Sequence, residues 1–126
     1  MDHKEIPRYI GLGDFALNPV KMVKSKKCCT SIKDGEYWAL GLPVVMTDSV
    51  GDDVKILRDN DTGIILESLD KTSYYAAVEK IDTMLKDYSM EELYKRVRPQ
   101  AEKYRNYDIA KRIYSTIYKG TASCGE

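Results

Sequence analysis

Three continuous apolar runs, at residues 15–17, 44–46 and 64–66, lie in the first half of the chain, each bounded by turn-forming or polar residues. Unbroken rather than alternating hydrophobicity predicts short strands covered on both faces. The first, "DFALNPV", is closed by Asn18 and Pro19; the second is "PVVMTD" and the third "GIILE". Between the first two, residues 31–40 predict a helix. Ser31 is its N-cap, Asp34 occupies the capping-box position, Gly41 stops it, and Pro43 restarts the chain extended. The polar turn "DSVGDD" introduces a short helix over 53–58, and "NDTG" turns the chain into the third strand. A short helix over 6–13, entered through Pro7, precedes the whole arrangement.

Beyond Asp70 the period becomes helical. Ala77, Ile81, Met84 and Leu85 mark one face of a first helix; two more follow over 90–104 and 108–118, with Pro99 expected to bend or break the former. Residues 120–126, "GTASCGE", carry no pattern and are expected to form a disordered tail, leaving 1–119 as one domain. Strands alternating with helices imply a parallel sheet, since a parallel neighbour is reached only by a crossover. The fold class is therefore α/β, a partial Rossmann-like domain with a three-stranded parallel sheet, flanking helices and a helical C-terminal region. So narrow a sheet leaves its first strand bare on one side, which calls for preceding strands or a second copy to cover it.

Composition narrows the setting. A chain of 126 residues, 43% apolar and 32% charged, suits a single folded domain. Twenty basic residues balance twenty acidic ones, giving no general reason to expect nucleic acid or an anionic membrane. No apolar stretch is long enough to span a bilayer and the first ten residues lack the apolar centre of a secretion signal, so the expected location is cytoplasmic. Cys28 and Cys29 are adjacent and Cys124 lies in the tail, which reads as free thiols; no histidine lies near to activate them or complete a zinc site. His3 reads as an exposed bystander, Asp52 and Asp53 as turn and cap residues, and Tyr104, Tyr107, Tyr114 and Tyr118 as core or interface.

Candidate chemistry converges beyond the C-terminal ends of the strands, where open parallel sheets collect ligands. The segment "KMVKSKKCCTSIK" brings five lysines and no acid to the helix that starts near Ser31. That stretch reads either as an exposed, mobile loop or as a diphosphate attractor. Amides of Ile32, Lys33 and Asp34 would point out of the helix start, a natural seat for a phosphate. Glu36 lies five residues beyond the cap, so at roughly 1.5 Å per residue it stands about 7 Å along the axis. That spacing suits a carboxylate accepting ribose hydroxyls from a nucleotide whose diphosphate sits at the tip. Gly35 and Ala39, one turn apart, would leave room for close approach to the sheet.

The stretch from "DFALNPVK" through "SIKDGEYWALGLPVVMTDSVGDDVKILRDNDTGIIL" resembles the nucleotide-sugar-binding half of GT-B fold glycosyltransferases, the large group of predominantly retaining enzymes. These often read E-A-M-A-x-G-x-P-V-V where this chain has "EYWALGLPVV", followed by a turn ending in T-G before the next strand. The resemblance covers roughly residues 5–68. It implies that Glu36 holds the donor ribose and that Thr30, Ser31, Ile32 and Lys33 meet the diphosphate. It further implies no cofactor and no metal, a nucleotide sugar as donor, and a glycan or lipid-linked acceptor, as in capsule and cell-envelope polysaccharide synthesis. Two features depart from the family: Cys28 stands where a second glutamate is frequent, and the chain has Val50, Gly51 and then Lys55 where a pair of glycines and a later acid are common. The family's acceptor domain and the first strands of its donor domain would precede residue 1, so the chain alone is expected to be inactive. The alternative is a small α/β interaction module that self-associates through a free sheet edge and binds no nucleotide. A receiver-type signalling domain would need acidic partners for Asp48 that the sequence lacks.

Overall fold

The computed structural model of the protein describes residues 2–121. A single 3-10 turn (His3–Glu5) leads into α1 (Ile6–Ile10), with Pro7 in its first turn, where a missing N–H costs nothing. Then follow β1 (Ala16–Asn18), a 3-10 turn (Lys24–Cys28), α2 (Ile32–Ala39), β2 (Val44–Thr47), α3 (Asp53–Asn60) and β3 (Gly63–Leu66). Three helices complete the chain: α4 (Lys71–Asp87), α5 (Met90–Tyr104) and α6 (Tyr107–Thr121). The strands form a parallel sheet in the order β1-β2-β3, with Leu17 opposite Val45 and Val45 opposite Ile64. The expected α/β class and parallel sheet are present. The expected disordered tail, 120–126, lies outside the described residues except where Gly120 and Thr121 end α6.

β2 is the centre of the core because all four of its residues are buried. On one face Val44 and Met46 pack with Ala16, Trp38, Leu57, Val97 and Ala101 beneath α2, α3 and α5. On the other, Val45 joins Ile64, Leu66 and Ala77 beneath α4. Opposite faces are reached by alternate side chains, which is the strand period. β1 departs from the expectation of two covered faces: Ala16 is buried, whereas Leu17 is 67% exposed. The cause is position, since α4 packs against β3 and leaves the corresponding face of β1 open.

α2 stops as its sequence requires. The N–H of Gly41 bonds the carbonyl of Trp38 and that of Leu42 bonds Tyr37, the paired closure in which a left-handed glycine ends a helix. Gly41 has φ +75, and a Cβ there would lie 2.3 Å from Tyr94 Cδ2, so both backbone and space demand glycine. Pro99 does not break α5, which runs unbroken from Met90 to Tyr104. Leu93, Val97 and Ala101 are buried on either side of the proline, and this packing holds the helix through a residue that disfavours it by about 3 kcal/mol. α5 begins with a complete capping box between Ser89 and Glu92.

Candidate active site

The turn after β1 is fixed by the N–H of Val20, which donates to Thr47 Oγ1 at 2.8 Å and so ties it to the end of β2. The chain then runs through the lysine-bearing 3-10 turn, and the N–H of Gly51, in the loop after β2, donates to the carbonyl of Lys26 at 3.1 Å. Gly51 has φ +62, and a Cβ there would lie 2.0 Å from the Cys29 carbonyl oxygen, so only glycine lets these loops meet. Together with the start of α2 they enclose a cavity of about 390 Å³ beyond the C-terminal ends of β1 and β2. A larger groove, about 730 Å³, runs along β3 and the later turns of α4 and holds no helix N-terminus. The smaller cavity is the one that lies where an open parallel sheet presents its ligand site.

Ser31 caps α2 in extended conformation, its Oγ accepting the N–H of Asp34 at 3.4 Å. The expected reciprocal box does not close, because the Ser31 N–H donates to Asp53 Oδ2 at 3.3 Å rather than to Asp34. Asp34 instead turns inward. Its Oδ1 accepts the side-chain amide of Asn18 at 2.7 Å, and the same amide donates to Ser31 Oγ at 3.1 Å. Oδ2 of Asp34 is buried without a hydrogen-bond partner among the described residues. Burial pushes this carboxyl up to about 6; the Asn18 hydrogen bond opposes the rise and the nearby Asp53 charge adds to it.

Asp53, also buried, forms an ion pair with Arg105 from the end of α5. Asp52, expected to share a cap role with Asp53, makes no side-chain cap bond, and Asp53 serves the ion pair instead. Arg105 also explains Gly35. A Cβ on Gly35 would sit 3.1 Å from Arg105 Cγ, so this glycine admits the arginine beside α5 rather than close approach to the sheet.

Four of the five candidate site residues line the cavity: Thr30, Ser31, Ile32 and Lys33. Lys26 and Cys29 join them, so the lysine-rich stretch contributes two of its five ammonium groups, Lys26 and Lys33. The amides of Ile32 and Lys33 have no acceptor within the helix, as first-turn positions dictate. Glu36 borders none of the cavities and is exposed. It lies one turn beyond Ile32 and Lys33, on the same outward side of α2, about 200° round the axis from Asp34. Among the tyrosines, Tyr104 packs on the core, Tyr107 is exposed, and the rings of Tyr114 and Tyr118 stack at 6.5 Å.

The side chains of Asn18, Asp34, Asp53 and Arg105 were not among the candidates read from sequence, and the Asp34 amide, expected in the phosphate seat, is taken by the Ser31 cap. One signal was available for Asp34: it precedes Trp38 by four residues and so shares the apolar stripe of α2, an unusual place for a carboxylate. Nothing comparable marks Arg105, which meets Asp53 from 52 residues away. Among the described residues no group of three or more His, Cys, Asp or Glu side chains could hold a metal, and no helix is long and apolar enough to cross a membrane. Compared with models of known families, with curated proteins and with solved structures, the chain matches none.

Proposed function

We propose that this chain forms part of the donor-binding half of a GT-B type glycosyltransferase and holds the nucleoside diphosphate of a nucleotide sugar. The observation that carries this reading is the meeting of Thr30, Ser31, Ile32 and Lys33 with Lys26 around one cavity at the C-terminal ends of parallel strands. Free first-turn amides and two ammonium groups suit phosphate oxygens. By the resemblance Glu36 would receive the ribose, from a position outside this cavity on the outer side of α2. In such enzymes positioning and charge stabilisation supply most of the rate, with groups from a facing domain completing the site. The acceptor would be a glycan or lipid-linked sugar of a polysaccharide pathway in the cytoplasm.

Calorimetric titration with uridine and guanosine diphosphates tests this directly. One saturable site for at least one of them, weakened severalfold by Glu36→Ala, is expected. No heat at millimolar nucleotide removes the reading, while binding that Glu36→Ala leaves unchanged removes only the ribose assignment.

The bare face of β1 favours a second reading, self-association of an interaction module. Leu17 is 67% exposed and β1 is an edge strand, the arrangement that sheets ordinarily cover. Light scattering across a concentration series would show dimers or larger assemblies, and a clean monomer throughout would count against it.

A further inference from the structure

A cavity built to hold phosphate should not present a bare carboxylate, yet two acids, Asp34 and Asp53, line this one. Asp53 is neutralised by Arg105 and accepts the Ser31 N–H. Asp34 has no ion pair among the described residues: Asn18 and the Ser31 hydroxyl serve its carboxyl group, while Oδ2 is buried without a hydrogen-bond partner. We propose that Asp34 is the proton-coupled determinant of this site: it is a neutral carboxylic acid when phosphate oxygens occupy the start of α2, so that ligand binding draws one proton onto it.

The proposal rests on the reading of the cavity as a diphosphate site and adds the chemical condition under which the site is filled. A phosphate seated against the amides of Ile32 and Lys33 would lie about one helical turn, roughly 5 Å, from Asp34, whose own side chain is fully buried. Like charges so placed cannot both be fully ionised, and the carboxylate, poised near 6 before any ligand arrives, is the one that yields. The proton comes from solvent, bonds one carboxyl oxygen of Asp34, and returns to solvent when the ligand leaves. The neighbouring groups leave this role to Asp34. Asn18 from β1 and Ser31 are not acids; Lys26 and Lys33 line the cavity as basic side chains; Arg105, from the end of α5, pairs with Asp53 of α3 and its charge works against the rise at Asp34. Ligand affinity therefore falls as pH rises past about 6.

Asp34→Asn imitates the neutral acid. Its carbonyl can still accept from Asn18, and no charge remains. Affinity for uridine or guanosine diphosphate, whichever binds, should be compared between the variant and the unaltered chain from pH 5 to 8. Titration of the nucleotide itself cancels in that ratio. The expected ratio is close to one at pH 5 and about tenfold in favour of the variant at pH 7. A ratio that stays flat while both proteins bind, or a variant that binds more weakly throughout, overturns the proposal and leaves the diphosphate reading standing. Absence of binding at every pH overturns both. Should the variant not fold, the carboxyl-carbon resonance of Asp34 in the unaltered chain gives the answer. Its titration midpoint should rise by at least one pH unit on saturation with nucleotide, and a midpoint that is unmoved or lowered contradicts the proposal.

Discussion

The side-chain amide of Asn18 lies 2.7 Å from Asp34 Oδ1, joining the last residue of β1 to the first turn of α2. That contact fixes the mouth of the cavity, because the same amide also reaches the Ser31 hydroxyl that caps the helix. A strand end and a helix start 16 residues apart are thereby locked together.

Replacing Asn18 by Ala should therefore cost about 2 kcal/mol, the loss expected when a buried, charged acceptor forfeits its donor. Urea unfolding measures it. Asn18→Asp should be worse at neutral pH, since it sets one carboxylate against another.

Asp34 makes stability depend on pH in an unusual direction. Its folded value, about 6, lies above the ordinary 3.8, so the folded state holds this proton more tightly than the unfolded one. The resulting stabilisation is fully present below about pH 4 and is lost as pH rises through 6. Stability attributable to this residue should thus fall by up to about 3 kcal/mol between pH 4 and 7. Asp34→Asn should remove that dependence and raise the melting temperature at pH 7, as thermal scans of both proteins at pH 5 and 7 would show. A variant less stable than the parent at pH 7 would contradict this assignment.

Arg105 is the partner of buried Asp53, and Arg105→Met would strand that acid without its cation. The expected cost is about 3–5 kcal/mol, and the double change with Asp53→Asn should recover much of it. A double-mutant cycle by chemical denaturation checks the coupling. Additive losses would mean that the two side chains act independently.

The parallel sheet, the order of its elements and the cap at Ser31 were legible in the sequence because each depends on local chemistry: continuous apolar runs, Gly41 after the helix, Pro43 before β2. The helix of residues 90–104 was located, but its integrity was not, since the packing of Val97 and Ala101 that carries α5 across Pro99 is tertiary. Four of the five candidate site residues meet at the cavity because they are consecutive. The polar network beneath them was hidden, for it joins Asn18, Asp34, Asp53 and Arg105 from four separate elements and no local pattern announces such a meeting. The bare face of Leu17 follows from where α4 lies, which periodicity alone could not locate.

The start of α2 is proposed to receive a diphosphate. The most direct measurement is amide chemical-shift mapping of the folded chain during titration with uridine and guanosine diphosphates. Saturable shifts are expected, concentrated at the amides of Thr30, Ser31, Ile32 and Lys33, with smaller changes at Gly51 and Glu36. Shifts confined to the groove beside β3 and α4, or none at millimolar nucleotide, would contradict it.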